Sequence, residues 1–229
     1  MAAYLIRAFR EAIPASRILI LDTKPRWRAT HLPTGSSTKR RYKRFVKGDE
    51  IAGSMLMDDM RDWNLVWDKD VNPSRTVVVQ APHGSTSRAK VLLSLRAAER
   101  FFDTQDARRP SLIYFDEGMD FFTTSGSARD NSDVVQRCFR AGRELNLTSL
   151  IGVQRPKGIN LQCLTETSYC ALYRINFADD VKRLHEMGWP KNVQAPEYGP
   201  DGQETHVFRL WREGRPGAAP YRLSMKKGQ

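Results

Sequence analysis

The stretch that decides the fold is Ser111-Leu-Ile-Tyr-Phe-Asp116-Glu117, an apolar run that ends in two acids. Such a run is typical of a strand that a sheet buries on both faces. A buried carboxylate is costly without a partner, so acids at the end of such a strand usually lie in the crevice where α/β proteins bind ligands. Asp116 and Glu117 are therefore candidates for catalysis, although a strand that merely ends in a polar turn has the same pattern.

Strands and helices alternate on both sides of this stretch. We expect further buried strands over residues 17–22, 76–80, 148–153 and 169–175. We expect amphipathic helices over residues 2–13, 86–102, 132–145 and 178–187. This alternation predicts an α/β fold, a mostly parallel sheet with helices on both faces.

The remaining segments have weaker patterns. Residues 23–49 are rich in Pro, Gly, Ser and Thr and are predicted to form a surface loop. Residues 50–70 are mixed and fit a short helix, and the end of the chain predicts a C-terminal β-hairpin or edge addition. With 229 residues, we expect a core over 1–195, with a basic excursion at about 30–50, followed by strands and a basic tail over 196–229.

The charge points to a polyanionic partner. A net charge of +11 favours nucleic acid, because neutralising phosphates releases counterions. The candidate DNA contacts form one basic cluster: Lys39, Arg40, Arg41, Lys43 and Arg44. A solvated basic loop explains this cluster equally well.

The expected location of the protein follows from two kinds of segment that the sequence lacks. No apolar run approaches the roughly 20 residues that span a bilayer, so we expect no membrane insertion. The first residues lack the apolar stretch and cleavage site of a secretory signal, so we expect a cytoplasmic protein.

A second motif lies downstream of the two acids. An arginine-rich segment from Arg137 through Gly142-Arg143 leads into a strand that closes in Gln154-Arg-Pro156. Together with Asp116-Glu117, this segment resembles the FtsK/HerA superfamily of P-loop, RecA-like ATPases that pump DNA. Val153 stands where that family often has Thr.

The resemblance implies a role for each of these residues. Asp116-Glu117 matches the Walker B pair, in which the first acid holds Mg²⁺ through water and the second orients and deprotonates the attacking water. Gln154 matches the polar sensor of the γ-phosphate or lytic water. Arg143, and after it Arg140, matches the arginine that acts on a neighbouring subunit's ATP, although a helix-surface arginine fits as well.

The resemblance extends to the start of the chain. Ile18-Leu-Ile-Leu-Asp22-Thr-Lys-Pro is similar to the second strand of the family, which makes Asp22 a candidate nucleotide-site residue. The family also implies a ring of identical subunits on double-stranded DNA, with ATP and Mg²⁺ as cofactors. Because no membrane segment is evident, a viral or mobile-element motor in host cytoplasm or virion is the favoured branch.

One required element is missing from the sequence. A phosphate loop needs Gly-x-x-x-x-Gly-Lys-Ser/Thr, and no such string occurs. In the family this loop precedes the helix that matches Tyr4-Leu-Ile-Arg-Ala-Phe9. We therefore expect that the core is truncated at its N-terminus, and that the lost strand leaves a gap in the middle of the sheet.

Two other functions remain open. The chain fits a non-catalytic DNA-binding or regulatory protein derived from such an ATPase, which would use its basic surface without hydrolysis. An unrelated α/β scaffold or a nuclease is a weaker alternative, and the lack of a further acid cluster suited to two metal ions argues against nuclease chemistry.

Overall fold

The structure is a computed structural model that describes residues 2–31, 49–70, 72–121, 129–159, 163, 165–172, 175, 177–186, 188, 207–212 and 221–222. Its strands are β1 (Arg17–Asp22), β2 (Trp27–His31), β3 (Asp49–Met57), β4 (Thr76–Val79), β5 (Ser111–Asp116), β6 (Leu147–Ile151), β7 (Tyr169–Leu172), β8 (Val207–Arg212) and β9 (Tyr221–Arg222). Its α-helices are α1 (Ala2–Ala12), α2 (Trp63–Val66), α3 (Ser87–Asp103), α4 (Arg129–Arg140) and α5 (Ala178–Glu186). The chain divides into two compact units, Met1–Gln154 and Arg155–Gln229.

The first unit is built on one six-stranded sheet in the order β2-β3-β4-β1-β5-β6. Every adjacent pair in this sheet is parallel. The sheet is continuous through β1, β5 and β6, so the expected gap in its middle is wrong. β6 forms one edge of the described sheet.

Helices cover both faces of this sheet. On one face, Ala3 and Ile6 of α1 join a buried cluster with Ile18, Ile20 and Tyr114. Because successive strand residues point to opposite faces, Phe115 lies on the other face, where its ring is 6.5 Å from that of Phe139 in α4. Helix α3 packs against α4 on that second face. The predicted α/β class, with helices on both faces of a parallel sheet, is confirmed.

Two strands escaped the sequence analysis. Residues 27–31 fall in the predicted loop, and residues 49–57 in the loop and the mixed segment, yet they form β2 and β3. Neither has a continuous apolar run, since β2 is Trp-Arg-Ala-Thr-His and β3 begins with two acids. Their pairing depends on neighbours far along the chain, which a local pattern does not reveal.

Helix α4 ends earlier than predicted. Its last residue is Arg140, and residues 142–146 form turns instead of continuing the helix to Leu145. At Gly142 the chain folds so tightly that a Cβ atom would overlap the carbonyl oxygens of Cys138 and Leu147. Gly142 allows this close approach, which ends the helix and turns the chain into β6.

The second unit contains a small antiparallel sheet. The predicted strand around residues 169–175 forms β7, but it pairs with β8 and not with the large parallel sheet. β8 pairs in turn with β9, and these two antiparallel strands form the predicted C-terminal hairpin. The predicted domain boundary near residue 195 stays a prediction.

In the second unit, Asp180 of helix α5 binds Arg155, the arginine of the Gln-Arg-Pro segment. Asp180 is 1% exposed and accepts hydrogen bonds from Arg155 Nε at 3.1 Å and from the Lys157 backbone N–H at 2.9 Å. The Arg155 guanidinium also lies 4.4 Å from the ring centre of Phe177. Arg155 is therefore held by an ion pair and a cation–π contact.

Among the residues that the structure describes, no helix combines the length and the apolar character that a bilayer crossing requires.

The burial of α1 gives a stability test within one helix. Ile6 is fully buried, whereas its neighbour Leu5 is 38% exposed. We expect Ile6→Ala to lower the free energy of unfolding by about 2–5 kcal/mol, because it removes buried methyl groups and leaves a cavity. Leu5→Ala is the matched control and should cost less than about 1 kcal/mol. Equal losses in urea denaturation would show that α1 does not pack on the sheet as described.

Candidate active site

The candidate site lies at the carboxyl edge of the parallel sheet. Because β1, β5 and β6 run in the same direction, the residues that follow their last positions meet at one edge. The pairing register sets Asp22 directly beside Asp116. Glu117 follows β5, and Gln154 follows the end of β6. The structure thus brings together four of the site residues predicted from the sequence.

Asp116 is buried, with 6% exposure. Its Oδ1 accepts a hydrogen bond from the Tyr114 hydroxyl at 2.9 Å, while Oδ2 is buried without a hydrogen-bond partner in the described chain. Burial and the neighbouring charge of Glu117 raise the pKa of Asp116, and the Tyr114 hydroxyl, the charge of Arg26 and the nearby Trp27 side chain offset only part of this effect. Asp116 therefore keeps one buried oxygen that makes no hydrogen bond of normal geometry, in surroundings that favour its protonated form or a nearby cation.

Asp22 is even more buried, with 2% exposure. Its Oδ2 accepts the backbone N–H groups of Arg26 at 2.8 Å and Trp27 at 2.9 Å, and also the side-chain amide of Gln80. Its Oδ1 is buried and has no hydrogen-bond partner among the described residues. Burial raises the pKa of Asp22 to about 6, and the neighbouring charge of Asp116 adds to this rise. Asp22 thus organises the loop after β1 while its second oxygen stays free.

These two free oxygens fit a hard divalent cation. Carboxylate oxygens are ligands that Mg²⁺ prefers, and this ion usually takes one or two carboxylates and completes its shell with water and substrate phosphates. The described residues contain no cluster of three or more His, Cys, Asp or Glu side chains suited to a metal ion. Asp116, with Asp22 beside it, is therefore suited to a cation that shares its shell with water or phosphate, and not to a closed protein cage.

Glu117 has a different environment from the two aspartates. Its carboxylate forms ion pairs with Lys24 Nζ at 3.1 Å and Arg26 Nη2 at 2.6 Å, and it accepts a hydrogen bond from the Gln154 amide at 2.8 Å. Burial alone would raise the pKa of Glu117, but Lys24 and Arg26 outweigh burial and hold that pKa below its ordinary value. Glu117 is therefore ionised and its oxygens are already engaged.

The backbone around Glu117 is strained and tightly packed. Glu117 has a φ of 56°, in the left-handed region that non-glycine residues rarely adopt. The next residue, Gly118, donates its N–H to the Gly152 carbonyl at 2.7 Å. A Cβ atom at Gly118 would lie 2.5 Å from side-chain atoms of Ile151. Strain of this kind is concentrated at functional sites, where the surrounding structure holds it in place.

Lys24 and Arg26 were missed as site residues. Both follow Asp22 within the Asp-Thr-Lys-Pro-Arg segment, which is similar to the family's second strand up to Pro25, and only Asp22 was predicted as a site residue there. The sequence feature that could have identified Lys24 is its position two residues after Asp22. No local pattern indicates Arg26, because its contact with Glu117 depends on the pairing of β1 with β5.

Arg140 and Arg143 lie away from this cluster. Arg140 ends α4, and Arg143 lies in the turn before β6, and both are exposed. The end of that turn is at the amino edge of the sheet, since Asn146 accepts the N–H of Ser111, the first residue of β5. A strand of this length separates the two edges by about 15 Å. The arginines therefore do not reach this chain's own carboxylates, and a role on a neighbouring subunit stays a prediction. The basic cluster Lys39–Arg44 lies outside the described residues.

Comparison with known proteins gives a fold likeness without a sequence match. No protein-family model matches the chain, and no curated protein matches it. The solved structures that resemble it include the genome packaging NTPase B204 from Sulfolobus turreted icosahedral virus 2. Its sulfate complex has 9% identity and a TM-score of 0.52, over 98% of this chain and 92% of that chain.

Two nucleotide-analogue complexes of the same viral protein give similar values. The complex with AMPPCP has 10% identity and a TM-score of 0.51, over 98% of this chain and 93% of that chain. The complex with ATP-gammaS has 10% identity and a TM-score of 0.50, over 92% and 85% of the two chains. The chain therefore has an α/β fold like that of a viral genome packaging NTPase, and at this identity the likeness shows the fold alone.

The buried acid at the end of β1 makes stability depend on pH. Since the pKa of Asp22 is raised to about 6 in the folded protein, its contribution to stability is present at low pH and is lost as pH rises through about 6. An asparagine at this position does not ionise, so the Asp22→Asn variant does not lose this stability as pH rises. We expect the stability of the variant relative to wild type to rise by on the order of 2–3 kcal/mol between about pH 4 and about pH 8.

Chemical denaturation at the two pH values measures this difference. Asp70→Asn, at an exposed turn, controls for the general effect of removing one carboxylate. A relative stability of Asp22→Asn that stays the same at both pH values would contradict the raised pKa.

Proposed function

We propose that this protein belongs to an ATP-driven motor of the FtsK/HerA type that translocates or packages double-stranded DNA. The observation that carries the proposal is the contact of Glu117 with Gln154 at 2.8 Å, beside the buried Asp116 at the end of the same strand. An acid that can hold a cation and a residue that orients the attacking water are recurring parts of sites that hydrolyse ATP, and an amide beside them can respond to their state. The likeness to a packaging NTPase supports this class of fold.

Each residue has a defined role in this proposal. Asp116 would hold Mg²⁺, and the ion would supply positive charge to neutralise the ATP phosphates. Glu117 orients the attacking water and accepts its proton, while the phosphorus–oxygen bond to the leaving diphosphate breaks. Gln154, which can both donate and accept hydrogen bonds, links the state of Glu117 to the segment that follows β6. Asp22 supports the cation side of the site.

We further propose that an upstream strand and phosphate loop complete the site beside β6. The connections β4–α3–β5 and β5–α4–β6 run across the sheet in one direction over the face that carries α3 and α4. Helix α1 lies on the opposite face. Since such crossovers are almost always right-handed, a parallel strand before α1 would come from the β6 side. It would then pair with the edge of β6, next to Gln154.

The wider assembly is part of the same proposal. Arg143, with Arg140 as the second candidate, would act on the ATP of a neighbouring subunit in a homo-oligomeric ring. Their exposure at the edge opposite Glu117 supports a role in trans. The net charge of +11 and the basic cluster Lys39–Arg44 support DNA as the partner, in the cytoplasm of a host or in a virion.

Removal of the proposed base tests the hydrolytic role. In the chain extended by its upstream coding segment, we expect Mg²⁺-dependent ATPase activity, and Glu117→Gln should lower kcat by about 100-fold or more. ATP binding should persist, because the amide keeps the shape of the side chain. Glu99→Gln, on the exposed side of α3, is the matched control and should keep full activity. An extended Glu117→Gln protein that hydrolyses ATP at the rate of wild type would overturn the proposal.

The basic cluster gives a test for DNA binding. Each phosphate contact steepens the fall of log Kobs against log salt by about 0.9. Replacing the five basic residues of 39–44 by Gln should therefore reduce the slope by up to about 4.5, as measured by fluorescence anisotropy on a DNA duplex. A control set removes the same charge elsewhere: Arg61, Lys69, Arg88, Lys90 and Arg96. An equal effect of both sets would show that binding is not located at the cluster.

A non-catalytic DNA-binding or regulatory protein is the second candidate. The observation that favours it is the lack of a Gly-x-x-x-x-Gly-Lys-Ser/Thr string in the sequence. It requires salt-sensitive DNA binding without nucleotide binding. Titration of the chain extended by its upstream coding segment with a fluorescent ATP analogue separates the two candidates, because tight binding counts against this second function and its absence counts against the first.

A further inference from the structure

We propose that the amino edge of the large sheet binds the phosphate backbone of double-stranded DNA through three arginines, Arg75, Arg17 and Arg109. These amino-edge arginines lie at the opposite edge from the carboxylates of the candidate active site. The proposal rests on the proposed function in taking DNA as the partner, and it assigns DNA a contact surface separate from the basic cluster Lys39–Arg44.

The topology of the sheet brings the three arginines together. Arg17 is the first residue of β1, Arg75 directly precedes β4, and Arg109 lies two residues before β5. These strands are parallel neighbours in the order β4-β1-β5, so the residues that precede them meet at one edge. The carbonyl of Arg75 accepts the N–H of Ile18 at 3.0 Å. Burial, and then the charges of Arg75 and Arg109, lower the pKa of Arg17 to about 10, so both neighbouring charges act on this residue.

Arg17 is held in place by uncharged groups. Its guanidinium lies over the rings of Trp67 and Phe101, 4.4 Å and 4.8 Å from their centres. It donates hydrogen bonds to the carbonyl oxygen of Thr104 at 3.0 Å and to the Thr104 hydroxyl at 3.4 Å. Each of the two Nη atoms carries two N–H groups and uses one of them here. Arg17 therefore has two N–H groups left for a ligand.

Arg10, at the end of α1, adds a further positive charge beside these residues. Its guanidinium donates to the carbonyl oxygens of Pro14 and Ser16 and to the Thr76 hydroxyl, at 2.9, 2.8 and 2.6 Å. Burial, and after it the charge of Arg75, lowers the pKa of Arg10 to about 10, so this side chain is still ionised at neutral pH. Arg10 therefore fixes the end of its helix, and its charge repels Arg75.

The acids at this edge are similar in number to the basic residues but have other positions. Six basic and five acidic residues lie in the segments that precede these strands, 10–17, 68–75 and 103–110. Asp103 pairs with Arg137 of α4 at 3.0 Å, and Asp106 lies 3.7 Å from Arg109. The remaining acids are exposed: Glu11, Asp68 and Asp70.

Three of the arginines have no carboxylate partner. Among the described residues, no acid forms an ion pair with Arg10, Arg17 or Arg75. Strand pairing and uncharged acceptors hold these like charges near one another, which costs free energy because the charges repel. An anion that reaches the edge relieves this repulsion and accepts charge-assisted hydrogen bonds from the guanidinium groups. The amino edge is therefore suited to a phosphate ligand.

The spacing of the strands favours DNA over a small anion. Adjacent strands lie about 4.8 Å apart, so the three arginine positions extend over about 10 Å along the edge. One strand of a DNA duplex has a phosphate for about every 3.4 Å of helix axis. The three arginines therefore match a backbone segment of about three phosphates, whereas a free phosphate ion fills only part of this length.

The first experiment measures the repulsion without DNA. At low salt we expect Arg75→Gln to unfold at a Tm about 2 °C above that of wild type, because it removes the repulsion with Arg10 and Arg17. Arg88→Gln, at an exposed position of α3, removes the same charge and should keep the Tm of wild type. A Tm of Arg75→Gln that is no higher than that of Arg88→Gln would overturn the proposal.

The second experiment measures the contact with DNA. On a duplex, Arg75→Gln/Arg109→Gln should reduce the slope of log Kobs against log salt by up to about 1.8, since each phosphate contact contributes about 0.9. Arg88→Gln/Arg96→Gln removes the same charge on α3 and should keep the slope of wild type. If the double variant does not fold, Arg109→Gln alone should reduce the slope by up to about 0.9. Equal slopes in the test and control variants would overturn the proposal.

Inorganic phosphate separates the DNA backbone from a free anion. Thermal unfolding is followed with duplex or with inorganic phosphate at the same total phosphate concentration. The duplex should raise the Tm of wild type more than that of Arg75→Gln/Arg109→Gln, and inorganic phosphate should affect both proteins equally. A rise with inorganic phosphate that matches the rise with duplex and is lost in the variant would assign the edge to a small anion and overturn the DNA contact.

The same duplex assay separates this proposal from the proposed function. A slope that falls only when the basic residues of 39–44 are replaced would overturn the amino-edge contact, while the proposed function stands. Wild type that binds no duplex would contradict DNA as the partner in both. ATP hydrolysis by the extended chain is a separate measurement, which neither result changes.

Discussion

The parallel pairing of β1 with β5 is the interaction on which the rest of the site depends. Its register places Asp22 beside Asp116 at the ends of two buried strands, and it brings the loop after β1 over Glu117. Both strands are almost fully buried, so one carboxylate at each end is drawn into a low-dielectric environment. A shift of one residue in this register would turn the side chains to opposite faces and separate the acids.

Burial then divides three neighbouring carboxylates into two kinds. Asp22 and Asp116 each keep one buried oxygen without a partner, and burial raises the pKa of both groups. Glu117 is instead surrounded by two cations and an amide, which hold its pKa low. Groups whose environments push their pKa values apart can take different chemical roles. The two aspartates keep a raised pKa, whereas Lys24 and Arg26 hold Glu117 in its ionised form.

The same parallel architecture separates functions between the two edges of the sheet. Residues that follow a strand meet at the carboxyl edge, and residues in the turns that precede a strand lie at the amino edge. Arg143 belongs to the second group, although its sequence distance from Gln154 is short. The β6 strand between them therefore places Arg143 and Gln154 at opposite edges of the sheet.

The sequence by itself determined the strands β1, β4, β5 and β6, the α/β class, and the acids and amide at the carboxyl edge. This was possible because strands buried on both faces of a sheet consist of consecutive apolar residues, and the polar residue after each run marks the end of the strand. Only the tertiary structure decided that β2 and β3 are strands, that β7 belongs to a separate sheet, and that Lys24 and Arg26 hold Glu117. These features depend on pairing between segments far apart in the chain, and the free energy of such pairing comes from neighbours that no local pattern contains.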